Sequence, residues 1–139
     1  MTVITKRMKI KTKGELEMVN ITDEVASVVK ESNVNDGIAT VFVSGSTAAV
    51  TTIEYEPGLL NDFPNMLERI APENITYEHE QMWHDGNGHS HVRASLLGPS
   101  LTVPFTNKQL TLGTWQQIVL IEFDIRSRDR NLIVQLIGE

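Results

Sequence analysis

Hydrophobic and polar positions change period several times along the chain, and each change marks an element. Ile4, Met8 and Ile10 alternate with polar positions that include Lys6, Arg7, Lys9, Lys11 and Lys13, the pattern of a half-exposed strand with a charged outer face. Residues 15–21 continue that extended pattern. Thr22-Asp23-Glu24 is a helix entry, because short oxygen-bearing side chains cap free amides and acids suit the positive end of the helix dipole. Val25, Val28 and Val29 follow at helical spacing, so a helix is expected over residues 22–33, before the turn signal Asn35-Asp36-Gly37. Two β-branched runs, residues 38–43 and 48–55, flank Ser44-Gly45-Ser46 and read as two paired strands. Leu59, Leu60, Phe63, Leu67 and Ile70 then recur at helical spacing, which predicts a helix with Pro64 near its first turn, stopped by Ala71-Pro72.

Farther on, residues 101–105 and 109–112 flank Thr106-Asn107-Lys108 as a hairpin, and residues 116–124 and 132–137 are two more strands joined across a charged turn. About seven strands with two or three helices grouped in the middle predict an α+β fold, mainly antiparallel β-sheet, in a single domain over residues 1–139. At 139 residues, such a domain buries enough surface to fold without staples.

Composition removes several functions. There is no cysteine, which excludes a disulfide framework, a thiolate metal site and a cysteine nucleophile. The net charge of −6 and pI near 5.2 argue against nucleic acid, whose phosphates need clustered Lys and Arg. No apolar run has the length of a signal peptide core or a membrane helix, so a cytoplasmic protein without membrane contact is expected. Walker, dinucleotide and nucleophile-elbow motifs are all missing.

The positive signal is local. All four histidines, His79, His84, His89 and His91, lie within residues 79–91, beside Glu78, Glu80 and Asp85. Taken as an extended segment, His89 and His91 point the same way and present two imidazoles to one ion, with His79 as the third ligand brought round by Gly86 and Gly88. Asp85 and Asn87 are oxygen donors for the same shell or orient the rings. His84, one residue out of phase, is the weakest member.

Other candidates are Ser46 and Thr47 after Gly45, hydroxyls with room for an anion, and Glu54 with Glu56 on one strand face. Thr114 and Gln116 offer hydrogen bonds beside Trp115, which is equally well a core residue. Arg126, Arg128 and Arg130 at alternate positions either converge on a phosphate or form a solvated turn, the commoner outcome for such a run.

Taken together, the run Gly-Ser-Thr-Ala-Ala-Val-Thr-Thr-Ile-Glu at 45–54, Tyr77 to His79, Asp85 to Arg93, Leu96-Leu97-Gly98-Pro99-Ser100, Gly113-Thr114-Trp115-Gln116 and Glu122-x-Asp124 resembles the YjbQ family. The resemblance covers about residues 5–138. It implies a YjbQ-like α+β chain, a homotrimer, and secondary thiamine-phosphate synthase activity, which joins pyrimidine diphosphate and thiazole phosphate precursors and releases pyrophosphate. By that resemblance His79, Asp85, Asn87, His89 and His91 fall in the family's histidine segment and Thr114 and Gln116 in its Gly-Thr-Trp-Gln segment. With the readings above, the catalytic candidates are His79, His89, His91, Asp85, Asn87 and Glu54, and Ser46, Thr47, Thr114, Gln116, Arg126 and Arg128 are the candidates against substrate. His79, His89 and His91 would hold a divalent metal, zinc or manganese. The alternative is a trimeric binder of a small phosphorylated or anionic metabolite that does not turn it over. Many relatives read His-Thr-Thr-Ala-Ala-Leu-Thr-Ile-Asn-Glu, so here Gly45 replaces a histidine and Ile53 an asparagine, while Glu54 is kept.

Overall fold

The computed structural model describes all 139 residues, arranged in two antiparallel sheets and a helical layer. The first sheet takes strands in the order β1 (Thr2–Lys11), β8 (Asp129–Gly138), β3 (Gly37–Val43), β5 (Ser100–Thr106) and β6 (Gln109–Leu110). The second takes β2 (Met18–Asn20), β7 (Gln116–Glu122) and β4 (Ala48–Glu54). Four helices complete the chain: α1 (Thr22–Glu31), α2 (Pro57–Ile70), α3 (Glu78–Trp83) and α4 (Gly88–Leu97).

Period-two alternation explains the stacking. Ala39, Val41 and Val43 of β3, Val103 and Phe105 of β5, and Leu132, Val134 and Leu136 of β8 point to one face, where they meet Ala48, Val50, Ile118 and Leu120 of the smaller sheet and Val25 and Val29 of α1. The intervening residues of β4 and β7, Ala49, Val119 and Ile121, form the opposite face with Phe123 and pack on Leu67 of α2 and Ala94 of α4. The smaller sheet is therefore buried on both faces, which is why β7 reads as the continuous apolar run Ile118-Val119-Leu120-Ile121.

The α+β expectation holds, with eight strands and four helices. Several local expectations change. β3 and β4 do not pair: Thr40 lies opposite Thr102 and Gln135, whereas Thr51 lies opposite Val119. Ser44-Gly45-Ser46 carries the chain from one sheet to the other, with Gly45 at φ +116°. Likewise β7 and β8, joined across the arginine turn, lie in different sheets. The extended segment at 15–21 shrinks to β2 after a turn in which the Glu17 amide donates to the Gly14 carbonyl. Helix α2 starts at Pro57, with the Glu56 carboxylate accepting from the Gly58 and Leu59 amides, so Pro64 sits inside the helix and not near its first turn. That cap also turns Glu56 away from any pairing with Glu54. The hairpin at Asn107-Lys108 forms, both residues at positive φ as a type I′ turn demands.

The largest change is in the histidine segment, which is helical. Gly98 at φ +89° followed by Pro99 ends α4, and its amide donates to the Ala94 carbonyl. At the other end a side chain on Gly88 would collide with Tyr77, its Cβ 2.5 Å from the Tyr77 Cβ. Glycine there lets α4 begin against α3, and Glu80 of α3 accepts the Gly88 amide at 2.6 Å.

Candidate functional site

An α-helix turns residues two apart by about 200°, so α4 sends His89 and His91 to opposite sides. This overturns the geometry expected for three converging imidazoles. His91 meets His79 of α3, with ring centroids 4.3 Å apart. His89 is buried in the other direction, its Nε2 2.9 Å from Glu15 Oε1. His84 caps α3 in the left-handed conformation and is exposed.

Around the His79–His91 pair the short loop between α3 and α4 supplies oxygen and nitrogen. Asp85 Oδ1 is 3.4 Å from His79 Nε2. One terminal atom of the Asn87 amide lies 3.1 Å from His79 Nε2 and 2.8 and 3.2 Å from the Asp85 oxygens, so that atom is the NH2 group and donates to both. His79 Nε2 then accepts that N–H through its lone pair, the same lone pair by which a neutral imidazole binds a metal. Burial and the neighbouring His79 hold the His91 imidazole below its ordinary value of 6.5, against the opposing pull of Asp85, Asp124 and Glu80. His91 is therefore uncharged at neutral pH.

Beneath the pair lies a buried polar network at the end of the smaller sheet, where Ala48 faces Glu122 in register. Thr47 Oγ1 donates to Asp124 Oδ2 at 3.1 Å and accepts from Arg130 Nη2 at 2.7 Å. Arg130 also grips both Glu122 oxygens, and Thr12 Oγ1 donates to Glu122 Oε1 at 2.6 Å. Arg128 closes on Asp124 Oδ2 through Nε at 2.9 Å and Nη2 at 2.7 Å. Thus two of the three alternating arginines neutralise two fully buried carboxylates, and only Arg126 is a free solvated charge, so the three do not converge on one anion.

The remaining predicted residues lie elsewhere in this chain. Glu54 and Gln116 are register partners at the far end of the β4–β7 pair, about 20 Å from the Ala48–Glu122 end at the usual rise per residue. Gln116 donates to Thr52 Oγ1 at 3.2 Å and accepts the Gly113 amide at 3.1 Å. Thr114 is exposed, and so is Trp115, which is not a core residue. Ser46 is exposed beside Gly45, on the rim of a cavity of about 230 Å³ that His91 also lines.

Sequence reasoning missed the partners of His89. Arg93, one turn farther along α4, is 1% exposed, donates through Nε to the Ala71 carbonyl at 2.9 Å, and bonds Glu15 at 3.2 Å and Glu68 at 2.9 Å. Ligand atoms of Glu15, Glu73 and His89 lie within 4.8 Å of one another, the one cluster of that kind in the chain. The Arg93 guanidinium rests on the same Glu15 oxygen as His89, so it takes the place of a cation there. No local signal pairs Glu15 with a helix more than seventy residues away.

Two stacked antiparallel sheets backed by helices, with an imidazole pair at one end of the smaller sheet, define a small α+β protein. A family model described as "UPF0047 protein YjbQ-like" matches residues 6–139, and the chain belongs to that family. It is 39% identical over 139 residues to a UPF0047 protein of Methanothermobacter thermautotrophicus, covering 100% of this chain and 95% of the relative. It is 33% identical over 135 residues to the UPF0047 protein YugU of Bacillus subtilis, covering 96% and 98%. Among solved structures it is similar to a YbjQ-like protein of unknown function from Sulfolobus solfataricus, with TM-score 0.89, 31% identity and coverage of 99% and 100%. A YjbQ/UPF0047 protein of Clostridium acetobutylicum gives TM-score 0.86 at 37% identity, covering 95% and 99%. No helix is long and apolar enough to cross a membrane.

Proposed function

We propose that the protein acts on a small phosphorylated metabolite at the His79–His91 centre, with the thiamine-phosphate synthase reaction implied by the resemblance as its chemistry. The observation that carries this is the contact of the two imidazoles at 4.3 Å beside an open cavity, with Asp85 and Asn87 turned onto His79. In that reaction the thiazole nitrogen lone pair forms a C–N bond at the pyrimidine methylene carbon. The C–O bond to diphosphate breaks, and diphosphate leaves with the electron pair. No proton has to be removed from the nucleophile, so the histidines serve electrostatics and not base catalysis.

The donors left together here for a divalent cation are His79, His91 and Asp85, in place of His79, His89 and His91; they are not drawn into a three-ligand set, and His79 Nε2 would exchange its Asn87 hydrogen bond for the ion. Such an ion, zinc or manganese from its nitrogen and oxygen donors, supplies charge against the departing diphosphate when bound. Asn87 orients Asp85 and His79, and Arg128 holds Asp124 as an anion below them. A homotrimer is part of the proposal. Val3, Ile38, Phe42 and Ile137 are exposed on the outer face of the larger sheet, an apolar surface suited to contact between copies.

The second reading, a binder without turnover, is favoured by Gly45, where the resemblance expects an imidazole. Thiamine phosphate formation by the wild type and by His91→Ala separates the two. Turnover lost in the variant and abolished by chelator supports the enzyme; equal turnover in both proteins sinks the histidine centre, and tight substrate binding without product leaves the binder. Light scattering of the purified protein checks the trimer.

A further inference from the structure

We infer that Arg130 forms an oxyanion subsite through the opening that Gly45 leaves, in the cavity beside His91. This deepens the proposed function and rests on it, since it names the chemical group, a phosphate or a carboxylate, that the same ligand places there.

A guanidinium has five N–H groups in a fixed fork. Arg130 directs Nε to Glu122 at 2.8 Å and Nη2 to Glu122 and to Thr47, but Nη1 makes no hydrogen bond within the protein. The side chain is only 7% exposed, so this unpaired donor group is part of a buried residue. The bonds to Glu122 and Thr47 hold the fork so that Nη1 faces Gly45. A Cβ on Gly45 would stand 2.8 Å from Nη1 and would meet no other atom within 4 Å. The glycine, at a φ of +116° that other residues avoid, therefore leaves an open approach to Nη1 that any side chain would close.

The space beyond has matching chemistry. Gly45, and not Arg130 itself, lines the 230 Å³ cavity, with Ser46, Ala48, His91, Ala94, Ser95 and Pro99, so Nη1 lies behind Gly45 and is reached from the cavity past it. The small residues give room. The hydroxyls of Ser46 and Ser95 have no partner in the protein, and no carboxylate lines the cavity. The nearby acids, Glu122 and Asp124, are each already paired with an arginine. Donors without a competing anion select a tetrahedral or planar oxyanion over a cation.

The test is calorimetric titration of the full-length protein with inorganic phosphate and, separately, with acetate. Wild type is expected to bind, and the stronger of the two ions identifies the group. Ser95→Asp places a carboxylate on an exposed wall, without disturbing the core, and is expected to weaken binding by about tenfold or more. Gly45→Ala, which sets a methyl group against Nη1, is expected to weaken it similarly. A wild type that binds neither ion, or a Ser95→Asp protein that binds as tightly as wild type, overturns the subsite. Phosphate bound through these residues by a protein that makes no thiamine phosphate overturns the synthase reading and leaves the subsite standing. Thiamine phosphate made with unchanged KM by Ser95→Asp does the reverse.

Discussion

Helix α4 has two faces that use the same residue type differently. On one, His89 is 1% exposed, bonded to Glu15, and flanked by Arg93, whose guanidinium reaches a carbonyl and two carboxylates. On the other, His91 is half-buried, leans on a second imidazole, and borders open space. On the first face the one cluster of donor atoms, Glu15, Glu73 and His89, already holds the Arg93 guanidinium where a cation would sit, which makes that face structural. Donors on the second face are only partly engaged. A pattern of His-x-His therefore marks a site only once the backbone between the two is known, since a strand would unite them and a helix divides them.

The sharpest way to break this comparison is to remove one side chain from each face. His91→Ala is expected to cut turnover by about 10²–10³, the usual scale for losing one preorganised electrostatic group, with the urea midpoint nearly unchanged. Arg93→Ala is expected to do the opposite. It leaves Glu15 with His89 as its one partner and empties a buried space, and because Glu15 and Glu68 remain 20% and 51% exposed the loss is about 2–3 kcal/mol, below that of a fully buried pair. Urea unfolding measures that loss, and the turnover of the molecules still folded should stay at the wild-type level. If Arg93→Ala folds normally but is inactive, the two faces are not functionally separate.

Much of the fold was legible because its signals are local. The alternation of β1, the apolar run of β7 and the positive-φ hairpin at Asn107-Lys108 all follow from short-range chemistry. Which strands pair is not local. Two β-branched runs separated by Ser44-Gly45-Ser46 look like a hairpin, and only the need to cover both faces of the smaller sheet sends them to different layers. The helical state of α4 did leave a mark, Gly98-Pro99 after Ala94 and two leucines, a stop signal that the glycines at 86 and 88 obscured. His79, His91, Asp85 and Asn87 were legible as a cluster from proximity in sequence. The Thr47–Arg130–Glu122 network and the Glu15 partner of His89 were not, because each joins segments that only the tertiary fold brings together.

A milder change sharpens the structural face alone. His89→Gln keeps a donor in reach of Glu15 while removing the ring that packs near Tyr77, whose centroid is 6.4 Å away. It is expected to cost about 1 kcal/mol, as for one hydrogen bond made less well, with no change in metal content measured by elemental analysis. A loss of bound metal in this variant would return His89 to the ligand set.

The smallest effect is in acid, and it concerns the network under the open face. Burial alone would raise the Asp124 carboxyl, but hydrogen bonds from Arg128 and the Ile125 amide, with the charge of Arg128, outweigh it and hold the group below its ordinary 3.8. The folded state thus ionises more readily than the unfolded chain, which binds the extra proton as the pH drops below about 3.8. The stabilisation from this group is whole above that value and is lost as the pH falls through the folded pKa. Arg128→Gln raises the folded value towards the unfolded one, so the acid-unfolding midpoint should move to higher pH. Because Arg128 is itself 35% exposed, its pair is screened and the effect at neutral pH should be about 1 kcal/mol or less. An acid midpoint that does not move in Arg128→Gln would mean that the Ile125 amide and the Thr47 hydroxyl hold Asp124 without Arg128, and that the network beneath His91 is looser than the one around His89.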